Sequence, residues 1–489
     1  MVVQHNMQAA NANRMLNVTT SAQSKSTEKL SSGYRINRAA DDAAGLTISE
    51  KMRKQIRGLD QASTNAEDGV SSVQTAEGAL TEVHSMLQRM NELATQAANG
   101  TNSKDSDRQA IQDEIDQLTT EIDRVSETTK FNETYLLKGD NGSTKNVYMN
   151  GHDAGLKGTL TDSAKSATFV MDALKDGDKV TIGGKEYTIG STEKDVKALI
   201  ADPGTGKSLA VKIDGTEYTL DHTGADLEIK KGGNKVTKGD VGITTGTTTD
   251  AATLDEFKGV VKAGSKVTVD GKEYTIMNDT KKADGTQGTQ GTDGIDDDDS
   301  SVISKTVAEG KIKAELVSAN NIGTVNSKAT VEDAVTADGK TTYTIHKGYA
   351  TVADTLSFNL HVGADADMTN KINVEIDAMD SASLGIKGLN IKDDSGNAAT
   401  YAVDAISDAI SKVSSQRSSL GAVQNRLEHT INNLDNVVEN TTTAESRIRD
   451  TDMAEEMVNY SKNNILAQAG QSMLAQANQS NQGVLSLLQ

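Results

Sequence analysis

The sequence predicts a multidomain protein of mixed α and β class, with a long α-helical coiled-coil bundle formed by both termini and a β-hairpin-rich α+β central region. Apolar residues recur three and four positions apart over residues 1–138 and again over 401–489. Residues 139–400 are instead rich in Gly, Thr, Asp, Lys and Val and repeat a hairpin-like motif. Both chain ends are nearly free of charged side chains, although the net charge is -20.

The N-terminal zone is predicted to be helical throughout. Its main stripe alternates three- and four-residue steps through Leu59, Ala62, Ala66, Gly69, Val73, Ala76, Leu80, Val83, Leu87, Met90, Ala94 and Ala97. This pattern is typical of a helix packed along a seam, and the small residues permit close helix approach. Asn99-Gly100 should end the helix. A helix over 45–99 would be about 80 Å long.

The C-terminal zone repeats this alternation. Its stripe consists of Val403, Ile406, Ile410, Val413, Leu420, Leu427, Ile431, Leu434 and Val438. Arg417 and Gln424 interrupt it. Because the two stripes match in length, we expect them to pair within one chain as an antiparallel bundle. The alternative is that each stripe pairs with a different molecule.

Four related segments in the central region predict β-hairpins. They are VTIGGKEYTI (180–189), VKIDGTEYTL (211–220), VTVDGKEYTI (267–276) and the looser VTADGKTTYTI (335–345). Their Gly-Gly and Asp-Gly turns suit two residues of positive φ. The repeated Tyr187, Tyr218, Tyr274 and Tyr343 predict core or cross-strand packing. FVMDALKDG and STEKDVKALIADPG are predicted to be short helices.

Residues 231–250 and 285–300 are predicted to be loops. The acidic run 296–299 could bind a hard cation, because carboxylate oxygens are the ligands that such ions prefer. The simpler interpretation is a solvated acidic turn, and no EF-hand spacing supports a cation. We therefore predict no metal site.

Composition excludes several classes of function. The excess of 70 acidic over 50 basic residues disfavours a nucleic-acid partner. The lack of cysteine excludes disulfides, thiolate metal sites and thiol catalysis. No apolar run is long enough for a membrane helix, and the start MVVQHNMQAANANRML predicts no cleaved signal peptide.

Catalytic motifs are not found in this sequence. The seven histidines form no H-E-x-x-H pattern, and no phosphate-binding loop or nucleophile elbow is present. The adjacent carboxylates Asp41 and Asp42 would diverge on a helix, so we expect them near a helix N-terminus. We predict no enzymatic activity and no cofactor.

Both terminal zones resemble bacterial flagellin, the subunit of the flagellar filament. The matching segments are KLSSGYRINRAADDAAGLTISEKMRKQIRGLDQASTNAEDGVSSVQTAEGAL near the N-terminus, and LGAVQNRLEHTINNLDNVVENTTTAESRIRDTDMAEEMV with LAQANQSNQGVLSLLQ near the C-terminus. The resemblance covers about 1–138 and 401–489, whereas the middle matches no fixed family pattern.

The resemblance implies a division of the chain. Residues 1–44 would form a filament-core helix paired with a second one over 455–489. Residues 45–138 and 401–454 would form the bundle, and 139–400 would project outward as a variable region. The implied function is swimming motility, with export to the cell exterior by flagellar type III secretion. Implied partners are other copies of the chain, an export chaperone, and the filament cap and hook-junction proteins.

The uncharged ends are expected to be disordered in the free subunit and to order on polymerisation. A buried Leu contributes about 1.5–3 kcal/mol, and each ordered residue costs about 1–2 kcal/mol. Many simultaneous contacts in a helical lattice are therefore needed. The predicted filament-core packing residues are Leu16, Ile465, Leu466, Met473, Leu474, Val484, Leu485, Leu487 and Leu488.

A second surface is predicted in QRMNELATQ (88–96). Arg89, Leu93 and Gln96 fall on a ridge beside the seam, which Met86 extends; this predicts a widened bundle face or a lateral subunit contact. The segment is also similar to the flagellin motif Q-R-x-x-E-L-x-x-Q, which a vertebrate Toll-like receptor recognises. The resemblance implies a receptor-binding and subunit-contact surface of Gln88, Arg89, Glu92, Leu93, Gln96 and Glu114. A guanidinium beside an apolar side chain suits a binding hot spot.

Three alternatives remain open at this stage. A hook–filament junction protein shares the terminal design, but the C-terminal SLL and the Q-R-x-x-E-L segment favour the filament subunit. An adhesin would need exposed aromatic residues, which the hairpins offer only as four tyrosines. A flagellin with an enzymatic insert is disfavoured because no zinc motif is present.

Overall fold

The computed structural model describes residues 6–101, 103, 106–242, 249–281, 293–393 and 396–487, and only the backbone of residues 141 and 481–487. The helices are α1 (Met7–Ser32), α2 (Ala43–Ala97), α3 (Asp107–Thr128), α4 (Glu193–Leu199), α5 (Leu254–Lys258), α6 (Lys305–Asn320), α7 (Ser381–Leu384), α8 (Asn397–Arg449) and α9 (Met453–Leu487). The described chain forms two compact units, which are residues 1–75, 357–375 and 418–489, and residues 76–356 and 376–417.

The strands lie between α3 and α8. They are β1 (Lys130–Phe131), β2 (Thr134–Tyr135), β3 (Asp140–Tyr148), β4 (Thr159–Asp162), β5 (Ser166–Asp172), β6 (Lys179–Ile182), β7 (Lys185–Ile189), β8 (Ser208–Ile213), β9 (Thr216–Asp221), β10 (Glu228–Lys231), β11 (Asn234–Lys235), β12 (Lys266–Val269), β13 (Lys272–Thr275), β14 (Val302–Ile303), β15 (Thr330–Val331), β16 (Val335–Ala337), β17 (Lys340–His346), β18 (Tyr349–Asp354), β19 (Leu356–His361) and β20 (Lys371–Ile376). A 3-10 turn, Met368–Asn370, precedes β20.

The predicted long helix is confirmed as α2, but the N-terminal zone is not helical throughout. Gly33 ends α1 in the left-handed conformation, with φ of 76°, and its N–H donates to the carbonyl of Lys29. Asp42 precedes α2 and accepts a hydrogen bond of 2.8 Å from the amide of Gly45. Asp42 therefore lies near a helix N-terminus, as its sequence position predicted. Residues 130–135 form the β1–β2 hairpin and were also wrongly predicted to be helical.

In the first unit, α2 and α8 run antiparallel. Ser63 Oγ donates to Asp435 at 3.3 Å, and Arg449 forms an ion pair with Glu50 at 2.8 Å. The order of these contacts reverses along the two helices, which confirms the predicted pairing within one chain. The junction beside them is also paired: Thr451 N donates to Gly33 O at 3.0 Å, and Arg35 N donates to Arg449 O at 2.7 Å.

The β19–β20 hairpin packs on α2 and α8 and was not predicted. Its Val362 and Ile372 are buried in one cluster with Ala66 and Leu427. A Cβ added at Gly69 would lie 2.2 Å from Leu360 Cδ1, so a larger residue there would collide with the hairpin. The period-two alternation of LSFNLH and KINVEI was the signal for these strands.

In the second unit, all four predicted hairpins are confirmed, as β6–β7, β8–β9, β12–β13 and β16–β17. Both turn residues have positive φ in each hairpin, for example 47° at Asp214 and 84° at Gly215. The cross-strand pairs Val180–Tyr187, Val211–Tyr218 and Val267–Tyr274 confirm the predicted packing of the tyrosines. Tyr343 is buried opposite Phe169 of β5.

These four hairpins are distributed over three sheets, and β8–β9 and β12–β13 share one of them. One sheet has the order β11-β10-β9-β8-β12-β13, a second β14-β7-β6, and a third β15-β17-β5-β4 with β16 beside β17. Helix α4 confirms the prediction for STEKDVKALIADPG. The prediction for FVMDALKDG was wrong: this segment enters β5, where Ala167, Phe169 and Met171 alternate into the core. Alternate burial favours a strand here.

The two predicted loops are only partly described, because 243–248 and 285–292 lie outside the described residues. The first also carries the β10–β11 hairpin. In the acidic run, Asp296 accepts hydrogen bonds from the amides of Asn278, Asp298 and Asp299. Over the described ranges, no group of three or more His, Cys, Asp or Glu side chains could hold a metal ion. The acidic-turn interpretation therefore accounts for these contacts.

In the second unit, side chains of helix α3 hydrogen-bond to the segment that precedes α8. Arg108 is only 2% exposed and donates to the carbonyls of Ala97 and Asp393. Gln112 donates to Leu389 O and accepts from Ile391 N, both at 2.8 Å. These bonds satisfy the buried polar groups and fix the segment before α8. Among the described residues, no helix has the length and apolar character that crossing a membrane requires.

Candidate functional site

The candidate assembly site is the antiparallel pair of α1 and α9, called here the terminal pair. Asn6 Nδ2 donates to the carbonyl of Ala477 at 3.2 Å, and Lys29 lies 3.7 Å from Glu456. Small residues form the contact: Ala467 is buried, and a Cβ at Gly470 would lie 3.4 Å from Leu16 Cδ1. The pair is therefore closely packed along one side of each helix.

The remaining surface of the terminal pair is exposed and carries several large aliphatic side chains among uncharged polar ones. Ile465 is 67% exposed and Met473 is 61% exposed on α9, and Met15 is 63% exposed on α1. A groove runs between the helices, with walls that include Met15, Val18, Leu466 and Met473. Clusters of exposed large aliphatic side chains usually mark a surface that another molecule covers.

The predicted filament-core residues divide into three groups. Leu16 and Leu474 are half-buried in the pair, whereas Ile465, Leu466 and Met473 are exposed. The side chains of Val484, Leu485 and Leu487, and the whole of Leu488, lie outside the described residues. Further exposed apolar residues on these helices were not among the predicted ones, although their apolar character was the signal for them: Met7, Met15, Val18, Met453, Met457 and Val458.

The helical state of these ends differs from the expected disorder. α1 and α9 satisfy their backbone hydrogen bonds within each helix and pair through small residues. The pairing leaves much of the large aliphatic surface uncovered, so it supplies little of the burial that would stabilise long isolated helices. Disorder of the ends in the free subunit in solution stays a prediction.

The second candidate site, called here the Arg89 surface, consists of Gln88, Arg89, Glu92, Gln96 and Glu114. The Arg89 guanidinium on α2 lies 2.9 Å from Glu114 on α3 and 3.2 Å from Glu92 one turn away. The hydrogen bonds that the guanidinium donates to Glu114 and Glu92 raise the pKa of Arg89 above its usual value. All five side chains are exposed, and the two helices bring Glu114 beside the motif.

Leu93 does not belong to this exposed surface. Its side chain is 2% exposed, so the predicted apolar hot-spot residue beside Arg89 is instead part of the bundle core. The alternative of a widened bundle face is correct for Leu93, because Leu93 is buried together with the seam residues Met90 and Ala94. Met86 is half-buried, which places it at the edge of the same face.

Comparison with known proteins agrees with the architecture of both ends. The model of the bacterial flagellin N-terminal helical region matches residues 3–142, and that of the bacterial flagellin C-terminal helical region matches 403–488. A flagellin of Clostridium tyrobutyricum is 38% identical over 485 residues, which cover 99% of this chain and 100% of that protein. A flagellin of Bacillus subtilis is 34% identical over 490 residues, covering 100% of both.

The similarity also extends through the central region. A flagellin of Salmonella typhimurium is 35% identical over 505 residues, covering 97% of this chain and 96% of that protein. Such similarity over nearly the whole length supports a filament subunit and disfavours an adhesin or an enzyme. The chain therefore belongs to the bacterial flagellin family, the structural and non-enzymatic subunits of the flagellar filament.

Proposed function

We propose that this chain polymerises by packing the exposed face of its terminal pair against the terminal pairs of other copies. The observation that carries this proposal is the exposed aliphatic surface on both helices, at Met15 and Val18 on α1 and at Ile465, Leu466 and Met473 on α9. The partner that would cover these residues is a surface that is also rich in aliphatic residues and poor in charge. Other copies of the chain provide that surface in any number.

The energetics favour a polymer over a dimer. Burying each exposed Leu, Ile or Met contributes up to about 1.5–3 kcal/mol. Ordering mobile helices opposes this at about 1–2 kcal/mol per residue. A lattice in which every terminal pair contacts several neighbours gains more burial for the same ordering cost. Residues 1–24 and 463–489 carry one charged side chain, Arg14, so few unpaired ions would be buried.

Deletion of residues 465–489 tests this proposal. The truncated chain should remain a soluble monomer, because residues 43–449 keep their own bundle and hairpin cores. It should form no filaments after seeding with filament fragments, as observed by electron microscopy. Filaments of normal appearance from the truncated chain would show that the terminal pair is not the assembly site.

Further proposals follow from family membership. Residues 1–44 and 455–489 would form the filament core, 45–138 and 401–454 the bundle, and 139–400 the outer region. The subunit would reach the cell exterior by flagellar type III export. An export chaperone, the filament cap and hook-junction proteins would be its partners during assembly.

A second function is favoured by the Arg89 surface. We propose that the monomer is recognised there by the vertebrate flagellin-sensing Toll-like receptor. The exposed Arg89, held between Glu92 and Glu114, gives the surface a fixed arrangement of donors and acceptors. Buried Leu93 would act by holding α2 in place and would not contact the receptor. The same surface would be a subunit contact in the filament.

Single substitutions of Arg89 and of Glu114 test receptor binding. Arg89→Ala and Glu114→Ala should each weaken binding to the receptor ectodomain by about 1–2 kcal/mol or more, as expected for hot-spot residues. Arg124→Ala is a matched control, because Arg124 forms an exposed ion pair with Glu121 on α3. Calorimetry or surface plasmon resonance measures the affinities. Unchanged affinity in both variants would refute the proposal.

A further inference from the structure

The chain contains three Asn-Gly pairs, Asn99-Gly100, Asn141-Gly142 and Asn150-Gly151. An asparagine followed by glycine can lose its side-chain amide when the glycine nitrogen attacks the side-chain carbon. The reaction needs a flexible backbone and an accessible attacking nitrogen, because the chain must fold into a five-membered ring. The three pairs differ in these respects.

Asn99-Gly100 meets the accessibility requirement of the reaction. The pair follows α2 in a turn, both residues are exposed, and a Cβ added at Gly100 would meet no atom within 4 Å. Asn99 Oδ1 accepts a hydrogen bond of 3.2 Å from the amide of Thr101, which folds the side chain back over the Gly100 backbone. Among the described residues, the Gly100 nitrogen donates to no acceptor.

The other two pairs are restrained. Gly142 lies within β3, and its nitrogen already donates to Asp140 Oδ1 at 3.0 Å. Gly151 is packed, since a Cβ there would lie 2.7 Å from Ala167 Cβ. Its neighbour His152 is held at both its backbone N and O by Asn320, at 2.9 and 2.8 Å. Both pairs would have to break native contacts before the ring could close.

We propose that Asn99 is a spontaneous deamidation site that ages the subunit after folding. The Gly100 nitrogen loses its proton and bonds to Asn99 Cγ, the Cγ–Nδ2 bond breaks, and ammonia leaves. Water then opens the cyclic imide at either carbonyl, which returns a proton to the ring nitrogen and leaves aspartate or isoaspartate at position 99. Water is the only co-reactant.

The modification would act on a junction that Arg108 holds together. Arg108 donates to the carbonyls of Ala97 and Asn99, at 2.9 and 3.4 Å. A new carboxylate at the C-terminal end of α2 is unfavourable to the helix dipole. Isoaspartate also lengthens the backbone by one carbon at the residue whose carbonyl Arg108 contacts. Each form should loosen the end of α2.

The test is to age the folded full-length protein at neutral and mildly alkaline pH and to map the three sites by mass spectrometry. Asn99 should convert on the order of tenfold faster than Asn141 or Asn150, which corresponds to about 1.4 kcal/mol in activation free energy. Its rate should rise with pH, because the attacking nitrogen must lose a proton. Equal rates at the three sites in the folded protein would overturn the proposal.

Two further measurements isolate the cause. Gly100→Ala should slow conversion of Asn99, because the added Cβ hinders ring closure, and leave the other two sites unchanged; an unchanged rate at Asn99 would contradict the role of the open Gly100 backbone. In denaturant the rates at all three sites should converge, and a persistent preference for Asn99 would show that the fold is not responsible. Asn99→Asp should speed hydrogen exchange near Ala97, with Asn150→Asp as the control.

Discussion

Two antiparallel helix pairs in the first unit are completed in different ways. The pair of α2 and α8 is covered by the β19–β20 hairpin of the same chain, which buries Ala66 and Leu427 with Val362 and Ile372. Within the described residues, the terminal pair has no such covering element, and Met15, Leu466 and Met473 remain exposed. One pair therefore completes its core within the chain, whereas the other would complete its core through contacts between chains in the proposed assembly.

The difference shows how a chain can fold alone and still require assembly. The seam residue Ala66 on α2 is buried by neighbouring elements of the same chain. The terminal helices use small residues where they meet and keep large aliphatic residues on their outer face. In the proposed assembly, different residues would therefore serve folding and polymerisation.

The largest expected effect comes from placing a charge on the uncovered face. Leu466→Asp should abolish polymerisation, because a carboxylate buried without a partner is strongly unfavourable. The monomer should keep its thermal stability, since Leu466 is 47% exposed. Leu199→Asp on α4 is the control, because Leu199 is 44% exposed and lies in the central region of the sequence. Light scattering after seeding measures assembly, and equal assembly of both variants would contradict the comparison.

An intermediate effect is expected where the hairpin covers α2. Gly69→Ala should destabilise the first unit by about 1–3 kcal/mol, because the new Cβ would collide with Leu360 and Leu427. Gly78→Ala on the same helix has open space and should stabilise by about 0.5–1 kcal/mol. Urea denaturation of both variants measures the difference. The comparison fails if the two substitutions shift the midpoint in the same direction.

The smallest expected effect is on the break between α1 and α2. Hydrogen bonds from the amides of Arg38 and Asn37 lower the pKa of Asp41. Its ionised form stabilises the folded break at pH above about 4, the usual value for Asp. This stabilisation is lost as the pH falls through that value toward the lowered pKa.

Hydrogen exchange over residues 33–42 measures this effect as a function of pH. Exchange should speed up in acid for the native chain, after correction for its intrinsic pH dependence. Asp41→Asn should remove most of that acid dependence, whereas Asp68→Asn, an exposed substitution on α2, should retain it. An identical acid response in the native chain and in Asp41→Asn would exclude this carboxylate as the cause.

The sequence was sufficient for the long helices and the four central hairpins, because both depend on local signals. The three- and four-residue spacing predicted α2, and the Gly-Gly and Asp-Gly turns predicted the hairpins. Nonlocal packing was harder. The placement of β19–β20 over Gly69 and the burial of Leu93 depend on which elements meet, and no local pattern specifies that. The helix prediction for FVMDALKDG was wrong because a short apolar run is compatible with a helix or a strand equally.

The paired junction between the terminal pair and the bundle has a mechanical consequence. The junction consists of two chain segments, the link from α1 to α2 and the link from α8 to α9. The backbone hydrogen bonds Gly33–Thr451 and Arg35–Arg449 join these segments to each other. The Tyr34 ring adds a brace, with Arg449 4.8 Å and Arg53 5.9 Å from its centre. A force applied to either terminal helix is therefore distributed over both linking segments. A subunit under the torque of a rotating filament would transmit that load through both linking segments together, so that neither segment rotates freely on its own.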